Sequence, residues 1–292
     1  MTTTSNSTAG QVVSPELQAW IVAQLADGHS LTALRQSMLA AGWNEVVTTM
    51  ALAQSGTGAP GQATTGSVGD AGAVRVLPGP TLDGAPMFVD AGDRQVRVLQ
   101  TMQSPRLVVF GDLLSADECE GLIAAARQRL ARSLVIETKT GGEVLNVDRT
   151  SDGMFFERGE SELVKRIEVR IARLLNWPLE NGEGLQILRY APGAQYRPHY
   201  DYFDPNEPGT PTMMQRGGQR VATLVIYIGE PAQGGATTFP DVGLEVAPQR
   251  GSAVFFSYDQ PDPVTRTLHG GAPVLAGEKW VATKWLRERE FI

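Results

Sequence analysis

The chain has 292 residues, 42% hydrophobic and 20% charged, with 25 Lys and Arg against 32 Asp and Glu, a formal net charge of −7. That composition is ordinary for a soluble globular protein, and the acidic balance argues against a general nucleic-acid binder, which needs a basic face for phosphates. The single cysteine, Cys119, excludes an internal disulfide and a cysteine-rich zinc site, and the only histidines are His29, His199 and His269. From the N-terminus, residues 1–13 are Ser/Thr-rich and expected to be disordered. They carry neither the basic start nor the apolar run of a secretory leader. No apolar run in the chain approaches the ~18 residues of a membrane span, so a cytoplasmic protein with no membrane partner is expected.

Residues 14–54 predict a small three-helix module. Ser14 caps a first helix with Leu17, Trp20, Ile21 and Leu25 at helical spacing, and Gly28 stops it. Ser30 caps a second, with Leu31, Leu34, Met38 and Leu39 on one face, ending at Gly42. A third holds Val46, Val47, Met50 and Leu52. Ala41-Gly42-Trp43 before a short helix resembles ubiquitin-associated-type modules, which implies a protein partner; a packing appendage or oligomerisation element is the other reading. Residues 55–86 shift to Gly, Ala, Thr and Pro and predict a flexible linker. The rest, 87–292, predicts one α+β domain with helices first and strands later. Ser115 and Glu118 form a capping box for a helix over 115–130. A second helix, over 161–175, buries Leu163, Ile167, Val169, Ile171 and Leu174. Short strands follow at 185–190, 220–228, 244–246, 251–258 and 279–286, pointing to an antiparallel barrel or sandwich.

One constellation carries chemistry. In an extended segment residues i and i+2 share a side, so His199 and Asp201 can offer an imidazole and a carboxylate to one metal ion. His269 is the candidate third ligand. Two His and one carboxylate on one face of an octahedral ion leave three positions open, which suits non-haem Fe(II) working on O2. By spacing alone, the His-x-Asp pair equally describes a surface turn. Lys279, ten residues beyond His269, opens an apolar strand; pointing inward it needs an anion, and pointing outward it is a solvated edge residue.

Several ordered blocks then carry a resemblance: Arg149-Thr150-Ser151, Leu185-Gln186-Ile187-Leu188-Arg189-Tyr190, His199-Tyr200-Asp201-Tyr202-Phe203, Gly217-Gly218-Gln219-Arg220-Val221-Ala222-Thr223, Gly234-Gly235-Ala236-Thr237-Thr238-Phe239-Pro240, and His269-Gly270-Gly271 through Lys279-Trp280 to Trp285. Residues 103–290 resemble the catalytic domain of prolyl 4-hydroxylases, 2-oxoglutarate- and Fe(II)-dependent dioxygenases, here of bacterial type. The resemblance implies a double-stranded β-helix (jelly-roll) core with flanking helices. It also implies Fe(II), 2-oxoglutarate, O2 and ascorbate as cofactors, and a proline-containing peptide or protein as substrate. It assigns His199, Asp201 and His269 to the iron and Lys279 to the distal carboxylate of 2-oxoglutarate. Tyr190 and Thr237 fall near that carboxylate, and Tyr196, Arg220 and Trp285 line the peptide–proline site. Residues 204–218 read as a long loop and a candidate substrate clamp, and 139–147 as a second mobile loop. The lack of an internal disulfide sets the chain apart from secreted animal members and their collagen substrate. The residues leave other readings open: the same chemistry on another residue or a small molecule, zinc hydrolysis at the same triad, or a non-catalytic sensor.

Overall fold

The computed structural model describes residues 13–26, 31–44, 47–49, 51–52, 76–132, 134–136, 143–145 and 150–292. The chain divides into two compact units, Met1–Gly72 and Ala73–Ile292.

In the first unit, helices Pro15–Ala26 and Leu31–Ala40 are followed by further helix at 47–49 and 51–52. Ser14 Oγ accepts from the Leu17 amide at 3.2 Å, and Asn44 Oδ1 caps the third stretch by accepting from the Val47 amide at 2.8 Å. Leu17, Ile21, Leu34, Met38, Val47, Ala51 and Leu52 form the core. Trp20 departs from the expected buried stripe: it is 42% exposed, while Leu17 and Ile21 are buried and Leu25 packs against the same core. The expected stops and caps at Gly28 and Ser30, and also His29, lie outside the described residues.

The second unit is built on a nine-stranded sheet. Its strands are β1 (Phe88–Asp90), β2 (Gln95–Met102), β3 (Arg106–Gly111), β4 (Ala131–Arg132), β7 (Asp152–Phe156), β8 (Leu185–Tyr190), β10 (Arg220–Gly229), β14 (Ala253–Ser257) and β17 (Lys279–Arg287). Their spatial order is β1-β2-β3-β14-β10-β17-β8-β7-β4. A four-stranded sheet, ordered β13-β12-β15-β9, combines β9 (Tyr196–His199), β12 (Thr237–Phe239), β13 (Leu244–Val246) and β15 (His269–Gly271). Two ribbons complete the strands: β5 (Leu134–Ile136) with β6 (Glu143–Leu145), and β11 (Gln233–Gly234) with β16 (Val274–Ala276). All pairings are antiparallel, and the two main sheets face each other as the jelly-roll sandwich the sequence implied.

Period-two alternation sorts β10 between two cores. Ala222, Leu224, Ile226 and Ile228 face the flanking helices, while Val225 and Tyr227 face the smaller sheet. Helices Ala116–Arg127 and Glu162–Leu174 cover the first face with Leu122, Ala126, Val164, Ile167, Ile171 and Leu174. Val169, expected inside, is 50% exposed; Arg170 takes the buried position and bonds Glu118 at 2.7 and 2.8 Å and Asp93 at 2.6 and 2.8 Å.

Three further expectations change. Strands β1–β3 precede the first flanking helix, so the order is not helices first; β2 buries only Val96, and its other positions show no clean alternation to read. Residues 76–86, which composition groups with the linker, lie against the second unit: the Gly79 amide donates to Leu175 O at 2.7 Å, and Arg106 Nη1 donates to Pro78 O at 3.2 Å. The segment 204–218 is not structureless, since Thr210–Met214 is a short helix. Residues 137–142 and 146–149, most of the second expected loop, lie outside the described residues.

Candidate active site

β9 and β15 pair with His199 opposite His269, and Asp201 follows immediately after β9. The register of two short strands therefore closes a gap of 70 residues between the two histidines. Asp201 Oδ1 lies 3.5 Å from His199 Nε2, and Oδ2 lies 3.4 Å from His269 Nε2. The donor atoms of the three side chains all fall within 4.8 Å of one another. Each imidazole is oriented by its other nitrogen: His199 Nδ1 meets Arg197 O at 2.9 Å and His269 Nδ1 meets Thr267 O at 3.0 Å. Donating Nδ1–H to a carbonyl leaves the Nε2 lone pair aimed at the centre of the triad, the tautomer a metal requires. Burial holds His269 down at about 4, so it is neutral at neutral pH. Burial alone would raise Asp201, but the facing imidazoles and Arg220 hold it well below the carboxylate range. Thr223 Oγ1 donates to Asp201 Oδ2 at 2.7 Å and lies 3.2 Å from Tyr258 Oη. The donor set fits a divalent cation that keeps open positions.

Behind the triad is an inner cavity of about 50 Å³, lined by Tyr190, Thr237, Gly271, Lys279 and Val281 among others. By the same measure one water occupies roughly 10–15 Å³. Lys279 is 4% exposed, and no carboxylate among the described residues pairs with it. Its ammonium lies 5.5 Å from the Tyr190 ring centre and 5.6 Å from that of Tyr227, and burial pushes it down to about 7. Tyr190 is its cross-strand partner on β8. Thr237 Oγ1 accepts from Tyr227 Oη at 2.8 Å, which leaves its own hydroxyl proton free for an acceptor. A β-carbon at Gly235 would stand 3.3 Å from Lys279 Cδ, so glycine keeps room for the side chain.

On the other side the triad opens into a groove of about 1280 Å³. Tyr196 stacks on His199, with ring centres 3.7 Å apart. Trp285 is buried, and its indole N–H has no acceptor among the described residues. Arg220 is 8% exposed; its guanidinium carbon sits 4.0 Å over Trp285, and Nε and Nη2 bond Glu183 at 2.7 and 3.0 Å. All nine residues singled out in the sequence thus line one of these two spaces, and His199, Asp201, Tyr196 and Trp285 line both, while His269 lines the inner one. Sequence reasoning missed Thr223, Tyr227, Tyr258 and Glu183, and only the inward parity of Thr223 and Tyr227 on β10 could have flagged any of them.

Residues 185–287 match the family model described as the 2OG-Fe(II) oxygenase superfamily. The chain is 44% identical over 205 residues to prolyl 4-hydroxylase 1 of Arabidopsis thaliana, covering 64% of this chain and 70% of that protein. It is 40% identical over 221 residues to prolyl 4-hydroxylase 5 of the same plant, covering 68% and 74%. Among solved structures, it is similar to the viral collagen prolyl hydroxylase of Paramecium Bursaria Chlorella virus-1 in its 2OG complex, with 32% identity and a TM-score of 0.47, covering 62% of this chain and 95% of that one.

Proposed function

The chain belongs to the prolyl 4-hydroxylases, Fe(II)- and 2-oxoglutarate-dependent dioxygenases that hydroxylate peptidyl proline, and from that premise we propose which of its residues perform each part of the reaction. His199, Asp201 and His269 hold the iron. Bound there, the iron supplies the oxidative chemistry that turns 2-oxoglutarate and O2 into succinate and CO2 while one oxygen atom enters a proline C–H bond. The remaining work belongs to side chains. Lys279 anchors the distal carboxylate of 2-oxoglutarate, assisted by the Thr237 hydroxyl and the Tyr190 edge. Tyr227, Phe239 and Phe256, all fully buried, keep water from that pocket and strengthen the charge pair. Thr223 orients Asp201. Tyr196, Arg220 and Trp285 line the peptide–proline end, where Trp285 offers a wall and an N–H.

The observation that carries the reading is Lys279: a buried amine with no carboxylate partner among the described residues, sharing one cavity with a two-His, one-carboxylate cluster. A dicarboxylic acid that reaches both ends explains both. The inner cavity offers the hydrolytic alternative no base, since Asp201 is the sole carboxylate lining it among the described residues.

The substrate proposed is a proline-containing peptide or protein rather than a nucleic acid, with ascorbate as auxiliary reductant. Residues 14–54 are proposed as a separate protein-binding module, joined by the linker to the catalytic domain. No described helix is long and apolar enough to cross a membrane, and a cytoplasmic site is proposed on the single, buried Cys119. The test is purified protein with Fe(II), 2-oxoglutarate, ascorbate and a panel of proline peptides. Succinate should form together with a gain of one oxygen mass on proline, and both should vanish in His199→Ala. Succinate with no peptide oxidised would point to another substrate class.

A further inference from the structure

Arg287, at the end of β17, is the largest fully buried side chain of the second unit that no part of the reaction uses. Its Nη1 bonds Glu183 Oε1 at 3.0 Å, so Glu183 is shared between Arg287 and Arg220. Its Nη2 donates to Met213 O at 2.7 Å and also to Arg216 O. Those carbonyls end the short helix Thr210–Met214 and the turn after it, groups that have no partner within the helix itself. Thr210, Thr212, Met213 and Arg216 line the outer groove as one wall, together with Glu183, Arg220 and Arg287 itself. The Phe203 and Phe291 rings sit 4.8 and 5.3 Å from the guanidinium carbon. A second contact fixes the same segment: Gly217 has φ +75°, and a β-carbon there would stand 3.0 Å from Arg287 Cβ. The wall therefore meets Arg287 through two carbonyls and a glycine, beside the Arg289 amide on Gly217 O at 2.9 Å and Arg216 Nε on Ile292 O at 2.8 Å.

We propose that Arg287 is a positioning residue for the peptide groove, holding the 210–217 wall at a fixed distance from the Glu183–Arg220 pair. This rests on reading the groove as the proline-peptide site. Without the brace the wall keeps its covalent connections but loses the buried donor that satisfies its carbonyls, and the groove no longer presents one width to a peptide. The pocket for 2-oxoglutarate lies on the other side of the triad and does not include Arg287.

The test compares the full-length enzyme with Arg287→Gln and Arg287→Lys. In Arg287→Gln the KM for a proline-rich peptide should rise at least about tenfold while the KM for 2-oxoglutarate stays within roughly twofold. Hydrogen exchange of the amides in 210–218 should accelerate, with those of β14 unchanged. Arg287→Lys should recover part of the peptide affinity, since it keeps a charge beside Glu183 but cannot reach both carbonyls. Should Arg287→Gln fail to fold, Arg287→Lys decides by the same readouts. Equal rises in both KM values, an unchanged peptide KM, or unchanged exchange at 210–218 would each overturn the proposal. If the parent enzyme oxidises no peptide, the functional reading fails instead, and the exchange measurement alone decides whether Arg287 holds the wall.

Discussion

Lys279 sets the energetics of co-substrate binding. Its ammonium stands near 7 in the ligand-free protein because burial penalises the charge, against an ordinary value of 10.5. A bound carboxylate favours the charged form, so binding takes up a proton whenever the free lysine is neutral. The sign follows: 2-oxoglutarate affinity is full below about 7 and declines as pH rises through that value, by up to about tenfold per pH unit. Calorimetry in two buffers of different ionisation heat should detect the proton uptake, and Lys279→Met should bind weakly at every pH with the uptake gone. Thr223 gives a second expectation at this scale. Thr223→Val keeps the shape but removes the 2.7 Å bond to Asp201. Loss of such a partner behind a metal ligand costs about 10–100-fold in metal affinity, and metal titration followed by spectroscopy should show a loss of that order. The ligands were legible because extended spacing puts residues 199 and 201 on one side and the remaining histidines are few. Thr223 and Glu183 were not: Thr223 lies 22 residues from Asp201, and Glu183 lies 37 from Arg220, so only the folded register brings them together.

Among the elements, the flanking helices were the most legible, because their ends carry local chemistry. Ser115 accepts from the Glu118 amide at 3.2 Å, and the Glu118 carboxylate returns to the Ser115 amide at 2.9 Å, the capping box that the spacing predicts. The sequence could not reveal that Glu118 also holds Arg170 of the next helix, at 2.7 and 2.8 Å. Burial would raise this carboxyl, but Arg170 and the Ser115 amide outweigh burial and hold it at about 2, below its ordinary 4.5. A carboxylate held below its unfolded value contributes stability that is present above about 4.5 and lost as pH falls towards about 2. Urea midpoints should therefore drop across that window, and Glu118→Gln should flatten the dependence while lowering stability at neutral pH. Ser115→Ala removes the cap alone and should cost about 1 kcal/mol at neutral pH. β1 and β2 were illegible for the opposite reason: they lie at the open edge of the sheet, where exposed Arg97, Leu99 and Gln100 break the alternation that marks a half-buried strand. The misplaced Val169 has a related cause. A buried Arg170 is invisible to any rule that sends apolar residues inward, and its two carboxylate partners come from other elements.

At the scale of the molecule, the two units have separate cores and unequal means of stabilising them. The first, among its described residues, rests on seven buried apolar side chains, Leu17 to Leu52. A module so small is near the lower limit at which apolar burial alone offsets chain entropy. The second closes its cores from its own strands and helices, and it also draws in residues 76–86 through Gly79 and Pro78. The catalytic triad, the lysine pocket and the peptide groove are all lined by residues from 155 onward. A chain beginning at residue 73 should thus keep the major thermal transition of the full protein and its turnover of a short proline peptide, within roughly twofold in kcat/KM. If the first module recruits a protein substrate, the same truncation should raise the KM for that protein while leaving the peptide unaffected, because tethering acts through local concentration and not through the chemical step. A truncated enzyme that loses peptide turnover as well would place the first module in the catalytic unit's own stability rather than in recruitment. A start at residue 87 is the sharper control: it removes the Gly79 and Pro78 contacts and should lower the major transition, which a start at residue 73 should not.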